Sequence, residues 1–219
     1  MSSSADTNDL PKFITFEGSE GCGKSTQLQL TKQWLEEKGE TVHCFREPGG
    51  TPLGESLRNL LKHDQAGENM DPLSEVLLFI ASRTELIRKQ IRPALTNGHW
   101  VLCDRFLDST TIYQGIARGI GKEVTSQLNQ IAVGDTLPTL TFFLALEPSI
   151  ALERARARNP SVHDRMENEP ADFYQAVHEG YRQLLLEHPQ RIKEIDATPS
   201  PDKVFHLIQK EILNAFPCL

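Results

Sequence analysis

The sequence of 219 residues predicts an α/β fold built on a parallel sheet, and two observations carry that prediction. Short apolar runs alternate with segments of helical periodicity, the pattern left by crossover helices between parallel strands. The first apolar run also leads straight into a glycine-rich stretch that ends in Gly-Lys-Ser and opens a helix. A helix N-terminus placed this way offers inward-turned backbone N–H groups and the positive end of a dipole, a ready cradle for phosphate.

Taken in order, residues 1–10 are mostly small and polar and read as a disordered leader. Strands are expected at Phe13–Phe16, Thr41–Phe45, Trp100–Cys103, Leu140–Leu146 and Arg191–Ile195. Helices are expected to begin near Lys24, Gly54, Pro72, Gly121, Pro148, Ala171 and Pro201. Asp71 before Pro72 supplies a capping acceptor and a preset φ, and Ser200 before Pro201 repeats the signal. Leu77, Leu78, Ala81 and Leu86 keep a helical apolar spacing through to about Ile91. No repeat, low-complexity tract or linker divides the chain, so residues 11–219 read as one domain. The segment 154–169 stands apart: it opens Arg-Ala-Arg-Ala-Arg, breaks at Asn159-Pro160 and has few apolar anchors. Such a segment is not held down by burial and is expected to be a mobile lid.

Composition limits the partners. A net charge of −7 argues against non-specific adhesion to nucleic acid, which runs on surplus Lys and Arg. The 38% hydrophobic and 24% charged content is that of an ordinary globular chain, and no stretch has the length of a membrane span. Cys22, Cys44, Cys103 and Cys218 are widely spaced without a CxxC pair. Neither a disulfide framework nor a zinc site is expected, and the reading is a reducing, cytoplasmic setting.

The chemistry begins at Gly18-Ser19-Glu20-Gly21-Cys22-Gly23-Lys24-Ser25, a full GxxxxGK[ST] match in strand-to-helix context, hence a P-loop NTPase fold. Residues Gly18 to Thr26 are expected to bind ATP. Lys24 would reach the β- and γ-phosphates, and the Ser25 hydroxyl would ligate Mg²⁺. Cys22 reads as a small spacer. Asp104 ends the strand Trp100-Val101-Leu102-Cys103, where it can hold Mg²⁺ as a second acidic anchor, or merely cap a turn.

Arg46 follows the second strand and Arg105 the third. Two arginines at strand ends suit a planar clamp for a second phosphate, which makes the acceptor phosphorylated and the protein a nucleotide kinase. Phe79 and Arg83 lie one helical turn apart and can stack on and hydrogen-bond a base. On the residues alone, Phe79 fits helix core, Arg83 fits a surface ion pair, and Tyr113-Gln114 fits a turn beside Gly115. Glu17 and Glu47 read as acceptors for loop amides, the seven histidines show no ligand spacing, and no general base is assigned. A GTPase switch would need an N/TKxD motif, which is absent; Asp64-Gln65-Ala66-Gly67 spells DxxG but reads as a loop. A kinase for another monophosphate stays the alternative.

Six ordered segments resemble the thymidylate kinase family, closest to its bacterial form: FEGSEGCGKST, REPGGTPLGE, LLFIASR, DRFLDSTTIYQG, RARARNPSVHDRMENE and IDATPSPDKV. They extend from about Lys12 to the C-terminus. The resemblance implies a five-stranded parallel sheet flanked by helices, transfer of the ATP γ-phosphate to dTMP, and a homodimer. It implies that Glu20 accepts from the 3′-hydroxyl of dTMP and that Arg46 and Arg105 hold its phosphate. Phe79 would stack on thymine, Arg83 would donate to a thymine carbonyl, and Gln114 would contact the base edge. Ser109 would line the pocket and Tyr113 would lie under the deoxyribose, excluding a 2′-hydroxyl. Adenine would sit between the lid and residues 196–201. Some members carry arginine directly after the P-loop acid, where this chain has Gly21, so the catalytic cation is expected from the lid. Lys24 and Arg105, with Arg156, Arg158 and Arg165, form the expected catalytic set. On a continuous helix Arg156 points roughly 200° away from Arg154, which shares a face with Arg158.

Overall fold

The structure, a computed structural model, describes residues 10–158 and 169–219, with the side chains of Arg156, Arg158 and Ala171 outside that description. Most of the expected leader, residues 159–168 of the expected lid, and with them Arg165, therefore lie outside the described residues.

Strands β1 (Phe13–Glu17), β2 (Val42–Arg46), β3 (Trp100–Asp104), β4 (Leu140–Ala145) and β5 (Ile192–Asp196) form a parallel sheet in the order β2-β3-β1-β4-β5. Around it lie α1 (Lys24–Glu37), α2 (Pro52–Lys62), α3 (Pro72–Leu86), α4 (Arg92–Thr96) and α5 (Leu107–Thr110). Then come α6 (Lys122–Val133), α7 (Pro148–Arg158), α8 (Ala171–Glu187) and α9 (Pro201–Ala215). Phe16 and Arg46 both align with Asp104 across the ladder. Glu17, Arg46 and Asp104 thus finish side by side at the carboxyl edge, the edge at which open parallel sheets bind ligands.

Side chains alternate across the sheet with a period of two. Ile14 and Phe16 join Trp100, Leu102 and Phe142 in a core against α1 and α9, through Leu28, Leu35, Val204 and Ile208. Phe13, Val101 and Cys103 face the other way, onto Val76, Ile80 and Ile87 of the α3 side and Ala132 and Val133 of α6. A third cluster sets Phe173, Val177 and Tyr181 of α8 on Phe143 and Ile192. On this second face β1 also carries Thr15 and Glu17, polar residues with no exposure.

The expected strands are present with ends shifted by a residue. Helix α2 begins at Pro52 rather than Gly54, because Thr51 caps it by accepting from the Gly54 N–H at 3.0 Å. Asp71 caps α3 as expected, accepting from Leu73 and Ser74 at 2.9 and 3.3 Å. Ser200 does not repeat this: its hydroxyl makes no capping bond, and only its backbone carbonyl accepts, from Val204. Helix α3 runs through a π-helical stretch, Ile87–Ile91, into α4. Its apolar spacing is real, but Leu77 and Ala81 lie on the exposed side while Glu75, Ser82 and Arg83 share the buried one.

The largest difference from the sequence reading is at residues 107–117. There α5 and a π-helical stretch, Thr111–Ala117, carry Tyr113 and Gln114, for which a turn was the alternative to a substrate-binding role and no helix was expected. Asp108-Ser109-Thr110-Thr111-Ile112 is a run of short polar and β-branched residues with poor helix propensity. Burial of Ile112 and Tyr113 against α8 overrides that propensity. Gly115 is required here, since a Cβ would meet the Thr125 hydroxyl of α6 at 2.7 Å.

Candidate active site

The P-loop leaves β1 and enters α1, as its sequence context demands. Lys24 is 5% exposed, and its Nζ donates to the carbonyls of Gly18 and Ser19 at 3.1 and 2.8 Å, folded back into the cradle its loop forms. Cys22 is buried among core residues, consistent with packing rather than chemistry. Burial also pushes its thiol up, away from the reactive thiolate. Gly21 has φ +79°, and a Cβ there would collide with the Ala151 carbonyl oxygen of α7. Gly21 therefore provides the seat on which α7 rests.

Ser25 Oγ donates to Asp104 Oδ2 at 3.0 Å across the β1–β3 junction. Two hard oxygens at the mouth of a phosphate cradle are the donor set that suits Mg²⁺, which takes one or two protein oxygens and completes its shell with water and phosphate. Elsewhere His43 Nε2 and His99 Nδ1 meet at 3.1 Å, but among the described residues no three metal-binding side chains gather.

Beside the P-loop lies a second cleft. Glu20 and Arg105, paired at 3.0 Å, line it together with Lys62 and Ser109. Burial pushes the Glu20 carboxyl up, but Lys24, Arg105 and Lys62 outweigh it and hold the group well below the ordinary carboxylate range. Phe79, half-buried, also lines the cleft, as do Tyr113, Tyr174 and Gln114. Arg105 lies over the Tyr113 ring, 5.0 Å from its centre. The Tyr113 hydroxyl is buried, and Arg105 is the polar group beside it. Gln114 Nε2 donates to buried Glu75, which fixes the amide against the cleft wall.

Arg83 also lines the cleft, but in a role the sequence did not foretell. It is 1% exposed, and all five N–H groups are spent inside the protein. Nε and Nη2 donate to Glu47, Nη1 to Thr110 and Asn129 at 2.9 and 2.7 Å, and Nη2 also to the Phe106 carbonyl at 3.0 Å. The reading of a surface ion pair is thus corrected to a buried hub joining the β2 loop, α3, α5 and α6. Donation to a base carbonyl from this arrangement takes a shared N–H. Among the described residues Glu47 accepts from Arg83 rather than from loop amides, whereas Glu17 takes the N–H groups of Phe106 and Ser109.

Arg46 is not brought to the cleft. Its guanidinium turns outward to Glu55 at 2.8 Å and to the Pro48 carbonyl at 3.1 Å, while Lys62 lines the cleft together with Arg105. Lys62, Pro48, Thr110 and Tyr174 line the cleft without having been singled out, and so does Glu47, which the sequence reading left outside the site. Lys62 ends α2 with no local signature, so nothing in the sequence marks it. Arg154 Nη1 reaches the Ala197 carbonyl at 3.4 Å, next to the turn where Asp196 accepts from Thr198. The DxxG stretch is a short 3₁₀ turn, Gln65–Gly67, capped by Asp64, and is a loop as expected.

A P-loop with an adjoining enclosed cleft, and an arginine and an acid at their junction, defines an ATP-dependent phosphotransferase with a second small substrate. The thymidylate kinase family model matches residues 16–208 of the chain. The chain belongs to the thymidylate kinase family. It is 46% identical to the thymidylate kinase of Gloeobacter violaceus over 91% of this chain and 93% of that one. With the enzyme of Magnetococcus marinus it shares 45% identity, over 94% and 97%. The crystal structure of thymidylate kinase from Ehrlichia chaffeensis superposes with a TM-score of 0.73 at 36% identity, covering 91% of this chain and 97% of that chain.

Proposed function

We propose that this chain phosphorylates dTMP with ATP in the way the two adjoining sites suggest, the P-loop taking ATP and the cleft taking dTMP. The observation that carries the reading is the cleft itself, lined both by the Glu20–Arg105 ion pair next to the P-loop and by Phe79, Tyr113 and Tyr174. In this reading residues 18–26 wrap the ATP phosphates, and Lys24 swings from its carbonyl partners to the β- and γ-phosphates. Arg105 holds the dTMP phosphate, and Lys62 takes the place beside it that was expected for Arg46. Arg46 joins only by leaving Glu55. Glu20 accepts from the 3′-hydroxyl, Tyr113 underlies the sugar, Phe79 stacks on thymine, and Gln114 and Arg83 face the base edge. Ser109 orients Arg105 at the phosphate end.

Ser25 and Asp104 would hold Mg²⁺, which when bound supplies charge neutralisation on the transferring phosphate. The protein's own part is positioning: no side chain needs to abstract a proton for this chemistry. Residues 11–219 act as one catalytic domain, with the lid at about 154–169 and its Arg156, Arg158 and Arg165 supplying the mobile cation that Gly21 leaves out.

A homodimer is supported by the exposed Leu73 and Leu77, one turn apart on α3, and by Ile131 on α6, which is 75% exposed. No helix among the described residues is long and apolar enough to cross a membrane, and all four cysteines are free thiols. The free thiols fit the reducing, cytoplasmic setting expected from the sequence, and the net charge of −7 argues against nucleic acid as a partner. The test is ADP release measured over dTMP, dUMP, UMP, CMP, AMP and GMP. The reading expects dTMP to be turned over fastest, and a preference for any ribonucleotide refutes it.

A further inference from the structure

Glu17, the last residue of β1, has no part in the proposed chemistry, yet it is fully buried. A carboxylate taken out of water needs compensating donors, and Glu17 has four. Oε1 accepts from the N–H groups of Phe106 and Ser109 at 2.8 and 3.3 Å. Oε2 accepts from the hydroxyls of Ser109 and Tyr181 at 2.6 and 2.7 Å. Three of the four donors belong to the turn that follows β3, the turn that carries Arg105.

That turn is strained where it matters. Arg105 has φ +69°, a left-handed conformation that residues with side chains seldom adopt and that persists only when the surroundings impose it. Arg105 Nη1 donates to Ser109 Oγ at 3.1 Å, which leaves the Ser109 proton for Glu17. A chain of bonds therefore runs from Glu17 through Ser109 to Arg105 and on to Glu20 in the cleft. Tyr181 anchors the far side of Glu17 and is itself stacked on Phe143, with ring centres 4.7 Å apart.

We propose that Glu17 is a positioning residue: by gripping the 105–109 turn through both carboxylate oxygens, it aims the Arg105 guanidinium at the phosphate of the second substrate. The inference rests on the reading of Arg105 as a ligand of that phosphate. Two amide N–H groups converge on one oxygen and two hydroxyls on the other, so two accepting oxygens are required. Glutamine offers one, and its amide would force the Ser109 and Tyr181 hydroxyls to turn round.

The test compares dTMP with thymidine, which lacks the phosphate, by calorimetry on Glu17→Gln, Tyr181→Phe, Arg105→Ala and the Glu17→Gln/Arg105→Ala double variant. A purely structural loss lowers melting temperature and leaves the ratio of the two affinities alone. A positioning role lowers the preference for dTMP by about tenfold in Glu17→Gln, equivalent to about 1.4 kcal/mol. Tyr181→Phe lowers it in the same direction by less. The double variant falls no lower than Arg105→Ala, because effects exerted through one residue do not add. A folded Glu17→Gln protein with the wild-type ratio, or a double variant with a further loss, overturns the inference. If Glu17→Gln does not fold, Tyr181→Phe decides, and an unaltered ratio there overturns it. An unaltered ratio in Arg105→Ala overturns the phosphate reading and the inference with it; a lowered ratio there beside a wild-type ratio in Glu17→Gln overturns the inference alone.

Discussion

Replacing Arg83 with alanine should unfold this protein at markedly lower temperature before it tells anything about base recognition. The substitution removes a guanidinium that is 1% exposed and makes bonds to Glu47, Thr110, Asn129 and the Phe106 carbonyl. It leaves Glu47, 5% exposed, without the cation that sustains its charge. Removing one partner of a buried ion pair costs about 3–5 kcal/mol, because the remaining charge is uncompensated. For a chain of this size each kcal/mol moves the melting temperature by about 2–4 °C, which gives a fall of about 6–20 °C.

The pH dependence has a definite sign. Burial already raises the Glu47 carboxyl against the pull of Arg83, and losing Arg83 raises it further. A carboxyl whose folded pKa exceeds its unfolded value contributes stability below the unfolded pKa and loses it as pH rises through the folded one. The gap between Arg83→Ala and wild type should therefore narrow on acidification and widen towards neutrality. Arg83→Met with Glu47→Gln removes both charges and should recover most of the stability, as neutral replacement of a buried pair commonly does. Thermal melts at several pH values check this. A single variant within about 1 kcal/mol of wild type at every pH contradicts the buried-hub description, since loss of a buried charge partner cannot be that small. On the stable double variant, calorimetry with dTMP then isolates the base contact, and unchanged affinity removes Arg83 from the recognition set.

Lys24→Ala should leave the fold intact and reduce turnover far below a tenth of wild type; a loss smaller than that, under about 1.4 kcal/mol in barrier, refutes its role at the phosphates. Tyr113→Ala should raise activity on ribo-TMP relative to dTMP, measured as a ratio of kcat/KM values, and a constant ratio defeats the steric argument. Gly21→Ala should lower both melting temperature and kcat, because the new methyl meets the Ala151 carbonyl at a positive φ; full activity means α7 yields freely. Among Arg156→Ala, Arg158→Ala and Arg165→Ala, at least one should lose kcat by about 10³-fold or more with little change in ATP affinity. Three variants within a few-fold of wild type rule out a lid arginine as the catalytic cation.

The sequence by itself determined whatever depends on local pattern. Strands announce themselves by short apolar runs, the phosphate cradle by glycines at fixed spacing before Lys24, and Asp104 and Arg105 by following a buried run. These are features of one chain segment, legible without knowing its neighbours. The tertiary structure decided what depends on which segments meet. Arg83 and Glu47 are 36 positions apart, and Glu17 lies 89 positions from the Phe106 amide it binds. The Glu17 pairs exist because β3 crosses to lie beside β1, which sets residues 105–109 over the end of β1. Helix formation at 107–117 was hidden for the same reason, since propensity there points away from a helix and burial against α8 reverses it. Long-range burial fixes the partners of polar side chains, because an unpaired polar group inside the core costs more than any local preference provides.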